Sequence, residues 1–327
     1  STLGMMFLVS SKELITMYAG LELATISLYA LAAIYKREDI SLEAGIKYVI
    51  LGAMSSGILL YGISLIYGVT RTTYLDGIMS FAASGSAEPV LIIAVIMTLL
   101  GAGFKLSMVP MHVWTPDVYT GAPTPVTAFI SVASKAAGFV FAIRIFSYTL
   151  IKMDYVWAPV LAVLALLTMT IGNLVAIPQK DIKRLLAYST ISQAGYILVG
   201  FAAASVVGIS SVIFYLLVYT LTNIAAFAVV AAVEKSSGTN DISAYAGLAQ
   251  RSPLLSLVFM LALLSLAGIP PLAGFAGKFY LFYAAMQKGY LWLVLAAALN
   301  STISLYYYLI VLKQLYIREP KKDMPKI

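Results

Sequence analysis

From Pro89 to Phe104 no side chain carries a charge, and then Lys105 stands inside the same apolar stretch. Apolar runs of this kind recur along the whole chain. A helix rises about 1.5 Å per residue, so about twenty such residues cross the hydrocarbon core of a bilayer. The 327 residues are 61% hydrophobic and 11% charged, against about 25% charged in a soluble domain. That much apolar surface cannot be hidden inside a water-soluble fold. The runs also lack the alternation of barrel strands. The chain therefore reads as an all-α, polytopic transmembrane protein. Its runs predict nine spans, near 13–34, 41–68, 89–109, 125–146, 155–177, 181–205, 207–233, 253–286 and 290–316. Residues 1–9 are too short to cross and read as the tail of a span that starts earlier.

Charge placement predicts an orientation. With nine spans, one side collects Lys36, Arg37, Lys180, Lys183, Arg184, Lys235, Arg251, Lys313, Arg318, Lys321, Lys322 and Lys326. The other side collects Lys12, Arg71, Arg144, Lys152 and Lys288. Basic loops stay in the cytoplasm. The first residue is thus expected outside and the C-terminus inside. The net charge of +7 follows from topology and needs no nucleic acid.

The chain has no cysteine and one histidine, His112. An iron–sulfur cluster, a cysteine zinc site and bis-histidine haem ligation are excluded. No glycine-rich nucleotide loop follows a strand pattern. No cofactor or metal is expected here, and any redox chemistry belongs to another polypeptide.

Two runs are punctuated. In "KLSMVPMHVWTPDVYTGAPTP" the prolines are Pro110, Pro116, Pro123 and Pro125, and "LAGIPPLAGFAGKFY" holds Gly268, Pro270, Pro271, Gly274 and Gly277. Proline removes a helical hydrogen bond and clashes with the preceding turn. In lipid the freed carbonyls must find protein or water. Broken helices near Val109–Pro110 and Ile269–Pro271 are therefore expected, both facing the protein interior. Such discontinuities commonly mark transport sites.

Four lysines fall inside spans, Lys47, Lys105, Lys135 and Lys278, with one deep carboxylate, Glu22. Each such charge costs about 2.5–3.5 kcal/mol on insertion scales. Lys47 is near a span end, where its stem can snorkel. Lys135 lies about 15 Å from either end of its span, beyond a lysine's reach. Burial disfavours charge and pairing restores it, so a buried Lys–Glu pair has two states of similar energy. This favours a relay for protons, with water held by Ser55, Ser56, Ser107, Thr124, Thr127, Ser131 and Ser134. Glu22 and Lys105 are expected in contact, directly or through one water. Pro110 is expected to open the helix so that water and His112, a ring able to titrate near neutral pH, reach Lys105. Structural ion pairs in a passive membrane scaffold are the competing reading.

The stretch "FKLSMVPMHVWTPDVYTGAPTPVTAFISVASKAAGF" resembles the signature of the antiporter-like membrane subunits of respiratory complex I and of Mrp-type cation/proton antiporters. "LELATISLYALAA", "EAGIKYVILGAMSSGILLYGISLIYG", "DIKRLLAYSTISQAGYILVG" and "GIPPLAGFAGKFYLF" resemble the subunit N branch in particular, over about residues 13–316. The resemblance implies two inverted five-helix repeats, each with one broken helix, in a single transmembrane domain divided near 1–150 and 151–327. It places the family's intramembrane glutamate on Glu22, the broken-helix lysines on Lys105 and Lys278, the central relay lysine on Lys135 and the additional lysine on Lys47. A lysine at 278 favours N over M, and the surrounding motifs favour N over L. Many relatives carry histidine where this chain has Gln193, so a water-mediated link is expected there. The family has about fourteen helices, so about three before residue 1 and one after Lys326 are expected outside this sequence.

What the resemblance implies is a proton-translocating subunit of NADH:quinone oxidoreductase in the cell (inner) membrane. FMN, Fe–S clusters and quinone would sit in partner subunits, and other membrane-arm subunits would flank the chain. An Mrp-type Na⁺/H⁺ antiporter subunit is the nearest alternative. Sodium needs oxygen ligands, and Glu22 is the only deep carboxylate.

Overall fold

The computed structural model describes residues 1–84 and 89–320, so Lys321, Lys322 and Lys326 of the charge reading lie outside the described residues. Within these the chain is helical, and the described residues hold no strand beyond two isolated bridges. Helices α1 (Thr2–Ser10) and α2 (Leu14–Ala32) form a hairpin, followed by α3 (Asp39–Thr70), the short α4 (Leu75–Ala83) and α5 (Pro89–Leu106). After a break comes α6 (Trp114–Gly121). One span, Thr124–Thr149, contains α7 (Thr124–Phe129) and α8 (Lys135–Ala142), with π-helical turns at Ile130–Ser134 and Ile143–Thr149. Then follow α9 (Asp154–Ala176), α10 (Ile182–Phe201), α11 (Val206–Ser237), α12 (Leu248–Arg251), α13 (Pro253–Ala267), α14 (Ala273–Gln287) and α15 (Leu291–Tyr316).

Seven of the nine predicted spans are helices long and apolar enough to cross a membrane, which makes this an integral membrane protein. The two others differ for separate reasons. Region 253–286 is split into α13 and α14. Helix α10 is long enough but more polar, because lipid is not its surroundings. Every residue of α10 except Arg184 and Tyr188 is buried. A helix enclosed on all sides packs against protein, here α6, α9, α11, α14 and α15.

Helix ends follow local chemistry. The Asp181 carboxylate accepts the Arg184 amide at the start of α10, and the Ser205 hydroxyl accepts the Gly208 amide at the start of α11, as N-caps do. Gly238 closes α11 at φ +69°, a left-handed conformation that suits glycine. Two antiparallel bridges, Glu13 with Tyr74 and Asp181 with Asp241, tie loops together.

Both expected breaks are present. Helix α5 stops at Leu106, Ser107 turns left-handed at φ +56°, and Val109–Pro110 is cis. Helix α13 stops at Ala267, Gly268 turns at φ +85°, and Pro270–Pro271 is cis. The interior-facing expectation holds only in part. Ser107, Met108 and Val109 are buried, but Pro110, Pro270 and Pro271 are exposed. A proline ring has no N–H to satisfy, so it can face outward while the freed carbonyls turn inward. Trp114 donates its indole N–H to the Phe104 carbonyl at 3.0 Å. Its ring stacks on Tyr48 with centroids 4.6 Å apart, which locks α6 under the end of α5.

Close packing in membranes relies on small residues. A Cβ on Gly195 would sit 2.5 Å from the Met169 backbone nitrogen, and one on Gly172 2.6 Å from that of Ser192. Backbone on both sides cannot yield. Gly195→Ala is therefore expected to destabilise the protein by about 2 kcal/mol, read as loss of thermal stability in detergent. Gly57→Ala, with nothing within 4 Å, should be neutral or stabilising by up to about 1 kcal/mol. Equal stability of the two variants would show that α9 and α10 are not limited by backbone contact.

Candidate functional site

Three of the four predicted intramembrane lysines are buried: Lys105, Lys135 and Lys278 are 8%, 2% and 3% exposed. Two of them meet the ends of broken helices. Lys278, on α14, donates from Nζ to the Ala267 carbonyl and to Ser301 Oγ, both at 3.0 Å. It also lies 4.2 Å from the centroid of the Tyr196 ring. Its stem crosses the break beside Gly268, where a Cβ would come within 2.9 Å of Lys278 Cδ. Lys135, the first residue after a π-helical turn, donates to the Thr190 carbonyl at 3.2 Å and reaches the Leu106 carbonyl at 3.5 Å. The last carbonyls of a helix carry partial negative charge, so each ammonium sits where the break created an acceptor.

Lys105 is different. Its Nζ is buried and has no hydrogen-bond partner among the described residues. It lines two small cavities, each with room for about one water. One is shared with Glu22, Thr25, Tyr29, Ser55 and Ser56. The other is shared with Ser134 and Gly138 of the span that carries Lys135. Glu22 and Lys105 thus face a common cavity, but they are not a direct ion pair. Glu22 is engaged elsewhere: its Oε1 accepts Ser56 Oγ at 2.5 Å, and Tyr18 and Ser56 are 2.8 Å apart. Of the two expected arrangements, contact and one bridging water, only the second suits this geometry.

Between Lys135 and Lys278 runs a polar seam on α10. Tyr219 donates to Thr190 Oγ1 at 3.1 Å, and Asn223 joins Tyr219 to Ser131. Gln193 donates to the Leu266 carbonyl at 2.8 Å and to Tyr308 at 3.2 Å, and accepts from Tyr215 at 2.7 Å. Ser189 and Tyr308 are 2.5 Å apart. Asn173 connects Tyr196, Tyr307 and Asn300 nearby. Where a water-mediated link was expected, Gln193 meets one carbonyl and two tyrosine hydroxyls, which use three of the four hydrogen bonds its amide can make.

Two predicted residues stand apart from this row. Lys47 lies at the surface, paired with Glu43 and Asp117 at 2.7 Å each, and Asp117 also accepts Arg184 at 2.8 Å. His112 sits in the first break with its Nδ1 buried and without a hydrogen-bond partner among the described residues, and it lines neither cavity of Lys105. One lysine was missed. Lys183 is 2% exposed, donates to the Ala122 carbonyl at 2.7 Å and stands 3.8 Å from Glu234. Glu234 in turn accepts Thr124 and Asn240. Position along the span counted Lys183 as a loop charge. The available signal was its spacing of seven from Thr190, which puts both on one face of α10.

A helical membrane bundle with two broken helices, buried lysines on or beside the broken ends and a polar seam between them defines an ion-translocating class of fold. The sequence pattern described as NADH:quinone oxidoreductase/Mrp antiporter, TM, matches residues 11–304, and the chain belongs to that family. It is 51% identical over 320 residues to the NADH-quinone oxidoreductase subunit N of Moorella thermoacetica, covering 98% of this chain and 67% of that protein. The corresponding subunit of Heliobacterium modesticaldum is 49% identical over 326 residues, covering 99% and 68%. Among solved structures, a chain of respiratory complex I from Thermus thermophilus with bound aureothin superposes with a TM-score of 0.85 at 37% identity, over 99% of this chain and 70% of that one. A chain of the Mrp complex from Dietzia superposes with a TM-score of 0.90 at 29% identity, over 97% and 59%.

Gln193→Leu keeps the volume but leaves the Tyr215 hydroxyl and the Leu266 carbonyl without their partner. Each buried orphan costs about 1–3 kcal/mol. The variant is expected to lose several degrees of thermal stability, whereas Gln193→Glu, whose protonated acid keeps an acceptor for Tyr215 and a donor for the Leu266 carbonyl, should lose less at acidic pH. A Gln193→Leu protein as stable as wild type would mean that the seam contributes nothing to the fold.

Proposed function

We propose that this chain is the subunit N of an NADH-quinone oxidoreductase and that it moves protons through Glu22, Lys105, Lys135 and Lys278. The observation that carries the reading is the row of three buried lysines, two on carbonyls freed by helix breaks and one, Lys105, unpartnered between two water-sized cavities. The family membership and the subunit N relatives support the same assignment. Glu22 and Lys105 exchange a proton through the water their cavity can hold. Lys105 passes it toward Ser134 and Lys135, and the α10 seam with Gln193 and Tyr308 separates Lys135 from Lys278. A second ammonium in this low-dielectric row is disfavoured by the first, so loading one lysine pushes a proton off the next. Lys47 and His112 serve as peripheral members on one flank. The two halves, 1–150 and 151–327, act as inverted repeats, each built on one break.

In this reading FMN, Fe–S clusters and quinone lie in partner subunits, and other membrane-arm subunits flank this one. The chain spans the cell membrane with the loop between α1 and α2 outside and its C-terminus in the cytoplasm, by the positive-inside rule.

Lys135→Met preserves apolar packing and removes the exchangeable proton. In the assembled complex it is expected to cut proton uptake per electron to about a tenth or less, on the scale of a lost proton-transfer group. Lys135→Arg should also be poor, because guanidinium does not release its proton. A purely structural role predicts the reverse, with Arg functional and Met failing to assemble. Pumping is measured in vesicles and assembly on a native gel. Normal pumping by assembled Lys135→Met would remove Lys135 from the path.

A further inference from the structure

A groove of about 470 Å³ opens on the face where Lys12 and Arg144 lie, away from the lysine row. It is lined by Lys12, Asp76, Arg144, Ser147, Tyr148 and Ile209, among others. Four elements converge there: the α1–α2 loop, α4, the π-helical turn Ile143–Thr149 and the start of α11. Single π-helical turns occur frequently at functional sites. This one brings Arg144, Ser147 and Tyr148 to the groove.

We propose that this groove binds the headgroup phosphodiester of an anionic phospholipid, with its acyl chains along the Ile209 face of α11. The depth fits. The groove lies where α1 ends, where the span Thr124–Thr149 ends and where α11 begins, so it sits at headgroup level. Helix α4 there buries Leu75 and Ile78 and exposes Asp76 and Ser80, as an interfacial helix does. The charge fits as well. Among the lining residues, Lys12 and Arg144 oppose the carboxylate of Asp76, an excess of one positive charge toward the single negative charge of a phosphodiester. Arg144 uses Nη1 on the Val9 carbonyl at 2.6 Å, and guanidinium has five N–H donors in all. Asp76 accepts Tyr148 at 3.1 Å. Ser147 is nine-tenths buried, and its hydroxyl has no partner among the described residues. Ser147 belongs to the groove lining, so a side-chain rotation would bring that unused donor to an acceptor oxygen there. The α11 surface around Ile209 is apolar: Val206 and Ile213, one turn either side, are 80% and 55% exposed. A free phosphate has no use for that face, and a diacyl lipid does.

The test uses the full-length protein, purified in non-ionic detergent and stripped of lipid. It is titrated with dihexanoyl-phosphatidylglycerol, dihexanoyl-phosphatidylcholine and inorganic phosphate. Phosphatidylglycerol should bind at least about tenfold more tightly than phosphatidylcholine. Lys12→Gln and Arg144→Gln should each weaken it about fivefold, the usual worth of a basic residue at an anionic membrane surface. Asp76→Asn should tighten it by a similar factor, a gain that misfolding cannot produce. Lys288→Gln, on the same side but paired with Asp154, should change nothing. Equal binding of the two lipids, or phosphatidylglycerol affinity unmoved by Lys12→Gln and Asp76→Asn, overturns the proposal. Inorganic phosphate binding as tightly as phosphatidylglycerol would reassign the groove to a free anion and overturn the lipid.

Discussion

A carbonyl freed inside a membrane has no water to turn to, so a protein donor must meet it. That constraint organises this bundle. Breaking α5 at Leu106 and α13 at Ala267 releases the last carbonyls of each half-helix, and the donors that arrive are the Trp114 indole, the Gln193 amide and the ammonium groups of Lys135 and Lys278. The lysines need those carbonyls as much as the carbonyls need a donor. An ammonium in a dry interior is tolerable only beside partial negative charge, which the end of a helix supplies. Break and lysine are two parts of one solution.

The second dependence is on α10. A helix buried on every side carries its polar residues safely only if each finds a partner. Ser189, Thr190, Ser192 and Gln193 do so through Tyr215, Tyr219, Tyr307, Tyr308 and backbone carbonyls. Gly172 and Gly195 let α9 approach until backbones touch. The seam is therefore rigid where it links the two breaks. Around Lys105, by contrast, there are two small voids and an ammonium without a fixed partner. A relay needs both kinds of place: one that holds geometry and one where water and a proton can change position.

Much of this was legible in one dimension. Apolar run length located seven spans to within a few residues, because the bilayer thickness sets that length. Pro110, Pro270, Pro271 and Gly268 located both breaks, because their backbone preferences are local. Lys105 and Lys278 stood out as charges set inside apolar runs beside a break, and Lys135 because a charge far from either end of such a run cannot reach water. Lys183 was misjudged for the same reason in reverse. Near a span end, sequence distance says nothing about which neighbours surround a side chain. Lys47 turned out solvated and ion-paired, and Lys183 enclosed.

The sequence by itself determined that the chain is a helical membrane protein, where its helices break and that Lys135 lies beyond the reach of water, since each follows from composition, local backbone chemistry or length along one helix. Tertiary structure alone decided that Glu22 bonds Ser56 and not Lys105, that Gln193 meets three protein partners, that His112 stays outside the cavities of Lys105 and that Lys12 and Arg144 share one groove with Asp76. Those are meetings between residues tens to more than a hundred positions apart, and what brings them together is helix packing, which no local preference encodes.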